Sequence, residues 1–423
     1  MERTLWQGLE MQEFPTVEED IETEVLVIGG GICGVLCAYQ LSKKHKVILV
    51  EKNRIASART AKTTAVITAL QDIYYMDLIK KFGKTNAKLY LDACLEAIEE
   101  YQILAKDYDF DFERVSSYKY FKDNEELLKL ELKAIQSLGF EASIEDEYAL
   151  AFPNQAQMNP LKLISQLLNS VTVYENTEIF KIKKQIAYTK HNVITAKHIV
   201  VATGYPFLKF KGLYPIKLTQ KKSYVAVVEN VSKTKDFNAI GSRPGDFYFR
   251  TYKNNLIIGG NDQKTGMYNG GGIPIVNYIL KYYPNHRISY QWVNQDCVSI
   301  DGIPYIGSYF KNKNIYVATG FNLWGMTGAM IASKVLTDKI ERNKNKYEKL
   351  FCPQRKSPLF PVLKNISVAT INLLKPKKRC THLGCALFYN KEEQVYECPC
   401  HGTKYNMDGT IVFNPANQDK PLK

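Results

Sequence analysis

Residues 24–51 carry the pattern that most restricts how this chain can fold. An apolar, β-branched run, EVLVIG at 24–29, leads into Gly29-x-Gly31-x-x-Gly34. A helical pattern over 33–44 follows, and a second apolar run, KVILVE at 46–51, ends on Glu51. Strand, glycine turn, helix and strand in that order predict a βαβ unit opening a parallel sheet. The first glycine permits the tight turn, the second lets backbone approach a pyrophosphate, and the third lets helix and strand pack closely. The helix N-terminus offers N–H groups to phosphate charge, and Glu51 is placed to accept hydrogen bonds from adenosine ribose hydroxyls. A ligand-free glycine turn is the alternative, and the acid in place at Glu51 argues against it.

The pattern then turns helical from about Asp77 to Lys106. A strand-like stretch at 171–182 precedes KHIVVATGYPF at 197–207, an apolar run ending in a glycine turn that returns the chain to its first sheet. Between Lys221 and Gly260 the strings SYVAVVEN, FYFRTY and NLIIGG read as antiparallel strands, where a substrate would be held. Asp301 to Ile340 gives a turn, a strand and a helix, a third return. With 423 residues, two or three units are expected.

The net charge of +13 admits nucleic acid, a membrane surface or an acidic protein as partner. No arginine-rich helix or aromatic RNP-type pattern occurs, so nucleic acid is not expected. From Pro353 onward eleven Lys or Arg face five Asp or Glu, which suits either docking to an acidic electron carrier or a plain solvated surface. The first twenty residues hold no apolar run of the signal-peptide kind, so a cytoplasmic location is expected. The greasy stretch Leu359 to Leu374 is interrupted by Pro361, Lys364 and Asn365 and falls short of the ~20 residues of a membrane span. It reads as a linker that packs on protein, with no transmembrane segment. Five cysteines (Cys33, Cys37, Cys94, Cys297, Cys352) are scattered like reduced thiols, and the other four fall within Cys380 to Cys400.

The glycine fingerprint alone does not separate NAD from FAD. RIASARTAKTTAVIT (54–68), Ala202-Thr203-Gly204, DGIPYIG (301–307) and ATGFNLWGMTGAM (318–330) resemble the elements of FAD-dependent oxidoreductases of the D-amino acid oxidase and glycine oxidase superfamily, over nearly all of residues 20–350. The resemblance implies a Rossmann-type FAD-binding domain with an α+β substrate domain. It places Arg59, Thr60, Thr63 and Thr64 near the pyrophosphate and flavin. It adds Ile179, Ala202, Thr203, Gly204, Asp301, Gly320, Asn322, Trp324, Gly325, Met326 and Thr327 to the cofactor site. Ala58 and Ala61 stand where many relatives have glycines. A helix opening near Met326 and Thr327 would aim its positive end at the flavin pyrimidine, which favours reduction. Trp324 either walls the flavin or is a core tryptophan. No second G-x-G-x-x-G follows a strand, which argues against a built-in NAD(P)H site.

The C-terminal string CTHLGCALFYNKEEQVYECPCHGTKY gives Cys380-x-His382 and, fifteen residues later, Cys398-x-x-His401. Two Cys and two His in this order resemble the Rieske [2Fe–2S] centre, in which two Cys hold one iron and two His the other. The resemblance implies a disulfide between Cys385 and Cys400, and donors to sulfur at Thr403 and Tyr405. A Cys₂His₂ set also suits zinc, but zinc leaves Cys385, Cys400 and the CPCHG string unexplained. Few residues separate Pro353 from Cys380, so this small all-β domain looks truncated at its base and its loops are expected to lean on the flavoprotein. The expected layout is nucleotide-binding parts at about 20–76, 150–215 and 290–350, substrate parts at 77–149 and 216–289, a linker at 351–375 and the Rieske unit at 376–423.

A two-electron flavin and a one-electron cluster suggest a relay. Family resemblance implies oxidation of a CH–NH bond in a small amine or amino acid, with electrons passed through the cluster to an electron-carrier protein or other acceptor. Arg250, in FYFRTYKNNLIIGGNDQKTG, either clamps a substrate carboxylate or sits in a salt bridge. Tyr248 and Tyr252 are candidates by location. Relatives joining the same two domains often read GGEDHKTG where this chain has Asn261 and Gln263. A different class, a non-catalytic electron carrier or redox sensor, would not need the helix-plus-sheet insertion.

Overall fold

The computed structural model describes residues 4–208, 212–232, 236–243, 245–268, 270–310 and 312–416. Its first sheet runs through Tyr305–Ser308, Ile315–Thr319, Val193–Gly204, Ile21–Ile28, Val47–Val50 and Thr172–Tyr174. From Ile315–Thr319 onward the pairings are parallel. Val47–Val50 is buried at every position, as a parallel strand covered on both faces must be. The helices Ile32–Ser42 and Gly325–Ile340 pack together on one face. The expected βαβ unit and both later returns are present.

The helical pattern from Asp77 to Lys106 is divided into Tyr75–Phe82 and Lys84–Leu104. Gly83, at φ +83°, breaks it. A second, nine-stranded sheet runs through Ile288–Ser299, Leu218–Val228, Asn255–Lys264, Tyr248–Tyr252, Phe237–Gly241, Glu113–Tyr120, Ala149–Gln157 and Val66–Ile67, with Ser143–Glu145 paired to Ala149–Gln157 at the side. Ala149–Gln157 and Ile288–Ser299, read from sequence largely with the nucleotide parts, hydrogen-bond into this second sheet. Periodicity shows that a strand exists but not which sheet receives it.

The stretch expected as a linker forms a helix, Leu359–Leu374. Pro361 does not prevent it, because it lies in the first turn, where backbone N–H groups have no partner within the helix. Beyond it a four-stranded sheet, Phe388–Asn390, Val395–Glu397, Lys404–Tyr405 and Ile411–Phe413, forms the small C-terminal domain. Its buried apolar cluster is Cys380, Cys385, Leu387, Cys398, Cys400, Tyr405 and Ala416, a core too small to carry a domain alone.

The larger N-terminal part of the chain supplies the missing support. Lys222 Nζ, wholly buried on Leu218–Val228, meets Glu397 at 2.9 Å and Glu393 at 3.0 Å. Burial opposes its charge, but the two carboxylates hold the ammonium above its usual range. Gly266 N–H donates to Glu397 at 2.8 Å, and a Cβ on Gly266 would lie 2.6 Å from Pro399. Lys222→Ala would leave Glu393 and Glu397 with Lys404 as their cation, a loss of about 1.5–3 kcal/mol for the charged hydrogen bonds removed. The expected result is earlier thermal unfolding and preferential proteolysis after Phe351; an unchanged Tm would show that the pair does not anchor the domain.

Candidate functional site: a flavin cradle beside a cluster site

Two cavities meet at the start of the helix Gly325–Ile340, with Thr63, Asn294, Leu323, Gly325 and Met326 lining both. The first to consider has a volume of about 200 Å³ and follows the glycine turn. Gly29 is at φ +111°, and a Cβ there would lie 2.7 Å from the Ala202 carbonyl oxygen. At Gly34 a Cβ would lie 1.9 Å from the Gly29 carbonyl oxygen, so only glycine lets helix and turn close up. Gly34→Ala is expected to abolish flavin retention, read as loss of visible flavin absorbance in the purified protein.

Glu51 Oε2 accepts from Gly30 N–H at 2.7 Å and Oε1 from Asn53 N–H at 3.0 Å, which fixes the carboxylate at the cavity edge. The helix Ile32–Ser42 begins at Gly31 without a side-chain cap or an acid in its first turn, an arrangement suited to an anion. Thr60 Oγ1 accepts from Ile32 N–H at 3.0 Å. Gly29, Gly31, Glu51, Arg59, Thr60 and Thr63 line this cavity, as do Ile179, the Ala202-Thr203-Gly204 turn and Gly320. A glycine cradle, a helix start with no acid in its first turn and an edge carboxylate fit a dinucleotide such as FAD.

Other sequence candidates stand elsewhere. Thr64, Asp301, Asn322 and Trp324 line the second cavity. Asp301 is held by Arg355, which meets both of its carboxylate oxygens at 2.7 Å. Asn322 ties the turn, accepting from Ser299 N–H at 2.8 Å and donating to Gly302 O at 2.8 Å. Thr327 is buried with its hydroxyl on Thr68. Arg250 corrects an expectation. It is buried, donates to Gln157 Oε1 at 3.0 Å, to Met158 O at 2.8 Å and to Thr64 O, and lines neither cavity. Of the two roles open to it, substrate clamp or salt bridge, it shows neither: backbone carbonyls and an amide oxygen take its N–H groups. Tyr252, bonded to Asp111, is also outside, while Tyr248 faces the second cavity across Gly259, where a Cβ would lie 2.1 Å from its ring.

That second cavity, about 380 Å³, is lined by strands of the nine-stranded sheet and by the turn that opens the helix Gly325–Ile340. Asp262, which the sequence reading passed over, lines it. The strand pair carries a register shift between Lys222 and Tyr224, and such a bulge re-aims side chains. Asp262 Oδ1 is buried with no hydrogen-bond partner. Burial raises its carboxyl to about 6, against an opposing hydrogen bond from Ser223. Asp72 and Asp77 line the same space.

In the C-terminal domain two loops repeat one turn. Gly384 N–H donates to Cys380 O and Gly402 N–H to Cys398 O, both at 2.9 Å, with Gly384 at φ +78° and Gly402 at φ +81°. The turns bring the buried rings of His382 and His401 to 4.8 Å between centroids, nearly perpendicular. His401 Nε2 meets the Pro215 carbonyl at 3.0 Å while its Nδ1 is buried without a partner. A neutral ring that donates through Nε2 keeps a lone pair on Nδ1, the state a metal ligand requires. Tyr405 Oη lies 3.4 Å from Cys380 Sγ, and Thr403 Oγ1 accepts from Ala416 N–H at 3.2 Å. The donor set fits a Rieske cluster. Cys385 and Cys400 are thiols here, and with Cys398 their sulfurs lie within 4.8 Å of one another.

A family model described as FAD dependent oxidoreductase matches residues 24–339, and one described as Rieske [2Fe-2S] domain matches 372–422. This chain belongs to the FAD dependent oxidoreductase family. A "Putative Rieske 2Fe-2S iron-sulfur protein YhfW" from Bacillus subtilis (strain 168) is 30% identical, over 99% of this chain and 97% of its own length. Glycine oxidase from Geobacillus kaustophilus has a similar fold, with TM-score 0.68 and 15% identity over 80% of this chain and 100% of that one. L-proline dehydrogenase from P.horikoshii is comparable, with TM-score 0.67 and 20% identity over 79% and 98%. FAD and a Rieske [2Fe–2S] cluster are the cofactors of this FAD dependent oxidoreductase.

The cluster loops lean directly on the oxidoreductase. Gln295 Nε2 donates to Gly402 O at 2.6 Å, and Gln220 Nε2 donates to His401 O. Tyr205, just after the Ala202-Thr203-Gly204 turn, sets its ring 5.9 Å from that of His382 and 6.3 Å from that of His401. Arg59 lies over the Phe413 ring at 4.3 Å. Phe413, Asn414 and Ala416 line the flavin cavity, so one wall serves both sites. No periodicity or motif marks Gln220, Gln295 or Tyr205 as contacts; only the loop shortage before Cys380 pointed to this docking.

Proposed function

We propose that this oxidoreductase oxidises a CH–NH bond of a small amine or amino acid and delivers the electrons through its Rieske centre to an external acceptor. The observation that carries the reading is the cavity of about 380 Å³ that meets the flavin cradle and holds the buried Asp262 carboxyl in its wall. When bound, FAD supplies a two-electron acceptor and the cluster a one-electron acceptor. Asp262 binds the substrate nitrogen and takes its N–H proton. Tyr248 and Trp324 wall the cavity and keep water from the reacting carbon. The substrate loses a hydride and a proton and leaves as an imine, which water hydrolyses to a carbonyl compound. An electron carrier or sensor without substrate would have no use for a buried carboxyl of this kind.

The remaining assignments follow from the same reading. Cys380, His382, Cys398 and His401 hold the cluster. Cys385 and Cys400, whose sulfurs already lie within 4.8 Å of each other, are the pair assigned to a disulfide between the two cluster loops. The nucleotide parts, the substrate parts and the Rieske unit divide the work as the sequence organisation suggests, in a protein of the cytoplasm. The test is anaerobic addition of single amines and amino acids to the holoprotein, followed by flavin absorbance and low-temperature EPR. Bleaching together with a rhombic Rieske signal is the expected result. Failure of every amine and amino acid to bleach the flavin would overturn the substrate assignment.

A further inference from the structure

The helix Leu359–Leu374 is turned inside out. The positions facing the body include Asn365, whose Nδ2 donates to Ile216 O at 3.1 Å, and Asn372, which is 6% exposed and whose carbonyl accepts from Ala386 N–H at 2.9 Å. Its large apolar side chains point outward: Leu359 is 71% exposed, Phe360 78%, Leu363 51%, Ile371 55% and Leu374 79%. With 3.6 residues per turn these, with Ile366 and Leu373, cover an arc of about 160° along the whole helix. Apolar faces normally turn inward, and a continuous one facing solvent marks a binding surface.

Charge identifies the occupant. From Lys349 to Lys391 the chain has nine Lys or Arg and no Asp or Glu. Lys356, Lys364 and Lys377 are exposed around the ridge. A second copy of the chain would bring two such basic segments together, a repulsive arrangement. The ridge is convex, with its most exposed side chains at both ends, the shape that sinks into a fluid surface. Sixteen residues are too few to cross a bilayer, and no described helix is long and apolar enough to do so.

We infer that this helix is an interfacial anchor that lays its Leu/Ile/Phe ridge into an anionic phospholipid bilayer while the surrounding lysines meet the headgroups. The anchor borders the cluster: Ala369 packs against the cysteine core, and Arg379 joins Leu373 O at 2.7 Å to Gly384 O at 3.1 Å. Docking therefore brings the first ligand loop to the lipid surface. The proposal does not depend on the substrate reading.

The experiment is flotation of the full holoprotein with vesicles of phosphatidylglycerol and phosphatidylcholine, or of phosphatidylcholine alone, with flavin absorbance and iron content recorded for every variant. The wild type is expected to float with the anionic vesicles and stay down with the neutral ones. Each exposed lysine removed should weaken partitioning about fivefold. Phe360→Ser with Leu363→Ser and Leu374→Ser should weaken it at least a hundredfold. These side chains are solvent-exposed, so cofactor content should not change. Lys356→Gln with Lys364→Gln and Lys377→Gln provides a second variant should the first fold poorly. No flotation with anionic vesicles overturns the proposal, as does flotation unaffected by both variants. A dimer in light scattering that the serine variant splits, without vesicle binding, would assign the ridge to self-association and equally overturn it.

Discussion

Asp262→Asn is expected to lower kcat/KM for the amine or amino-acid substrate by about 10²–10⁴, the usual contribution of a positioned proton acceptor. The variant should also lose the acid limb of the pH profile. The wild-type carboxyl titrates at about 6 because burial disfavours its charge. It is neutral below that pH and can neither attract a substrate ammonium nor take its proton, so wild-type kcat/KM should rise as pH increases through about 6. Stability should move the opposite way. A folded-state value raised above the unfolded one contributes stability that is complete below the unfolded value of about 4 and is lost as pH rises through about 6. Asparagine carries no charge to bury. The variant should therefore have a higher Tm than wild type above pH 6, with the difference shrinking towards pH 4. A variant that keeps wild-type kcat/KM and its acid limb would remove Asp262 from the chemistry. A merely structural role predicts a lower Tm instead.

Asp262 also shows where sequence reasoning stops. Its neighbours Asn261 and Gln263 attracted attention because they depart from a familiar string, and the aspartate between them did not. What gives it its position is a bulge opposite Ser223, and bulges leave no periodic trace. The glycine turn was legible because backbone sterics demand glycine there: at Gly34 only 1.9 Å separates a Cβ from the Gly29 carbonyl. The cluster ligands were legible because metal chemistry fixes both residue type and spacing. Arg250 stayed open between two roles because a strand position states that a side chain points to one face, but not that carbonyls of Thr64 and Met158 already wait there. The outward helix was read as a linker packing on protein because apolar residues normally pack. Its inward face is marked by the Asn365 side chain on Ile216 O and by the Asn372 backbone carbonyl, which receives Ala386 N–H, tertiary contacts that a hydrophobic pattern does not report.

Cys398→Ser should separate the two halves of the proposed relay. Cys398 is completely buried, its N–H donates to Thr403 O and its carbonyl receives Gly402 N–H, so the loop keeps its turn when only the thiolate is lost. A hydroxyl is a poor ligand for iron in this setting, and iron should fall from about two atoms per chain to near zero, with loss of the Rieske EPR signal. The flavin cradle is built from the Gly29–Gly34 turn and its own supports, so flavin content should stay within the range of the wild type. Substrate should still bleach the flavin once, while steady turnover with a one-electron protein acceptor collapses, because the path from the shared wall at Phe413–Ala416 ends without a cluster. Retention of iron and of the EPR signal would remove Cys398 from the ligand set. Full turnover without the cluster would mean that electrons leave directly from the flavin side, and the C-terminal domain would then be a docking element. Tyr405→Phe refines the same question. Its hydroxyl lies 3.4 Å from Cys380 Sγ, and a donor to a ligand sulfur stabilises the reduced cluster, so the variant should keep its iron and show a lower cluster potential in a redox titration. An unchanged potential would assign that hydroxyl to Thr381, with which it also bonds.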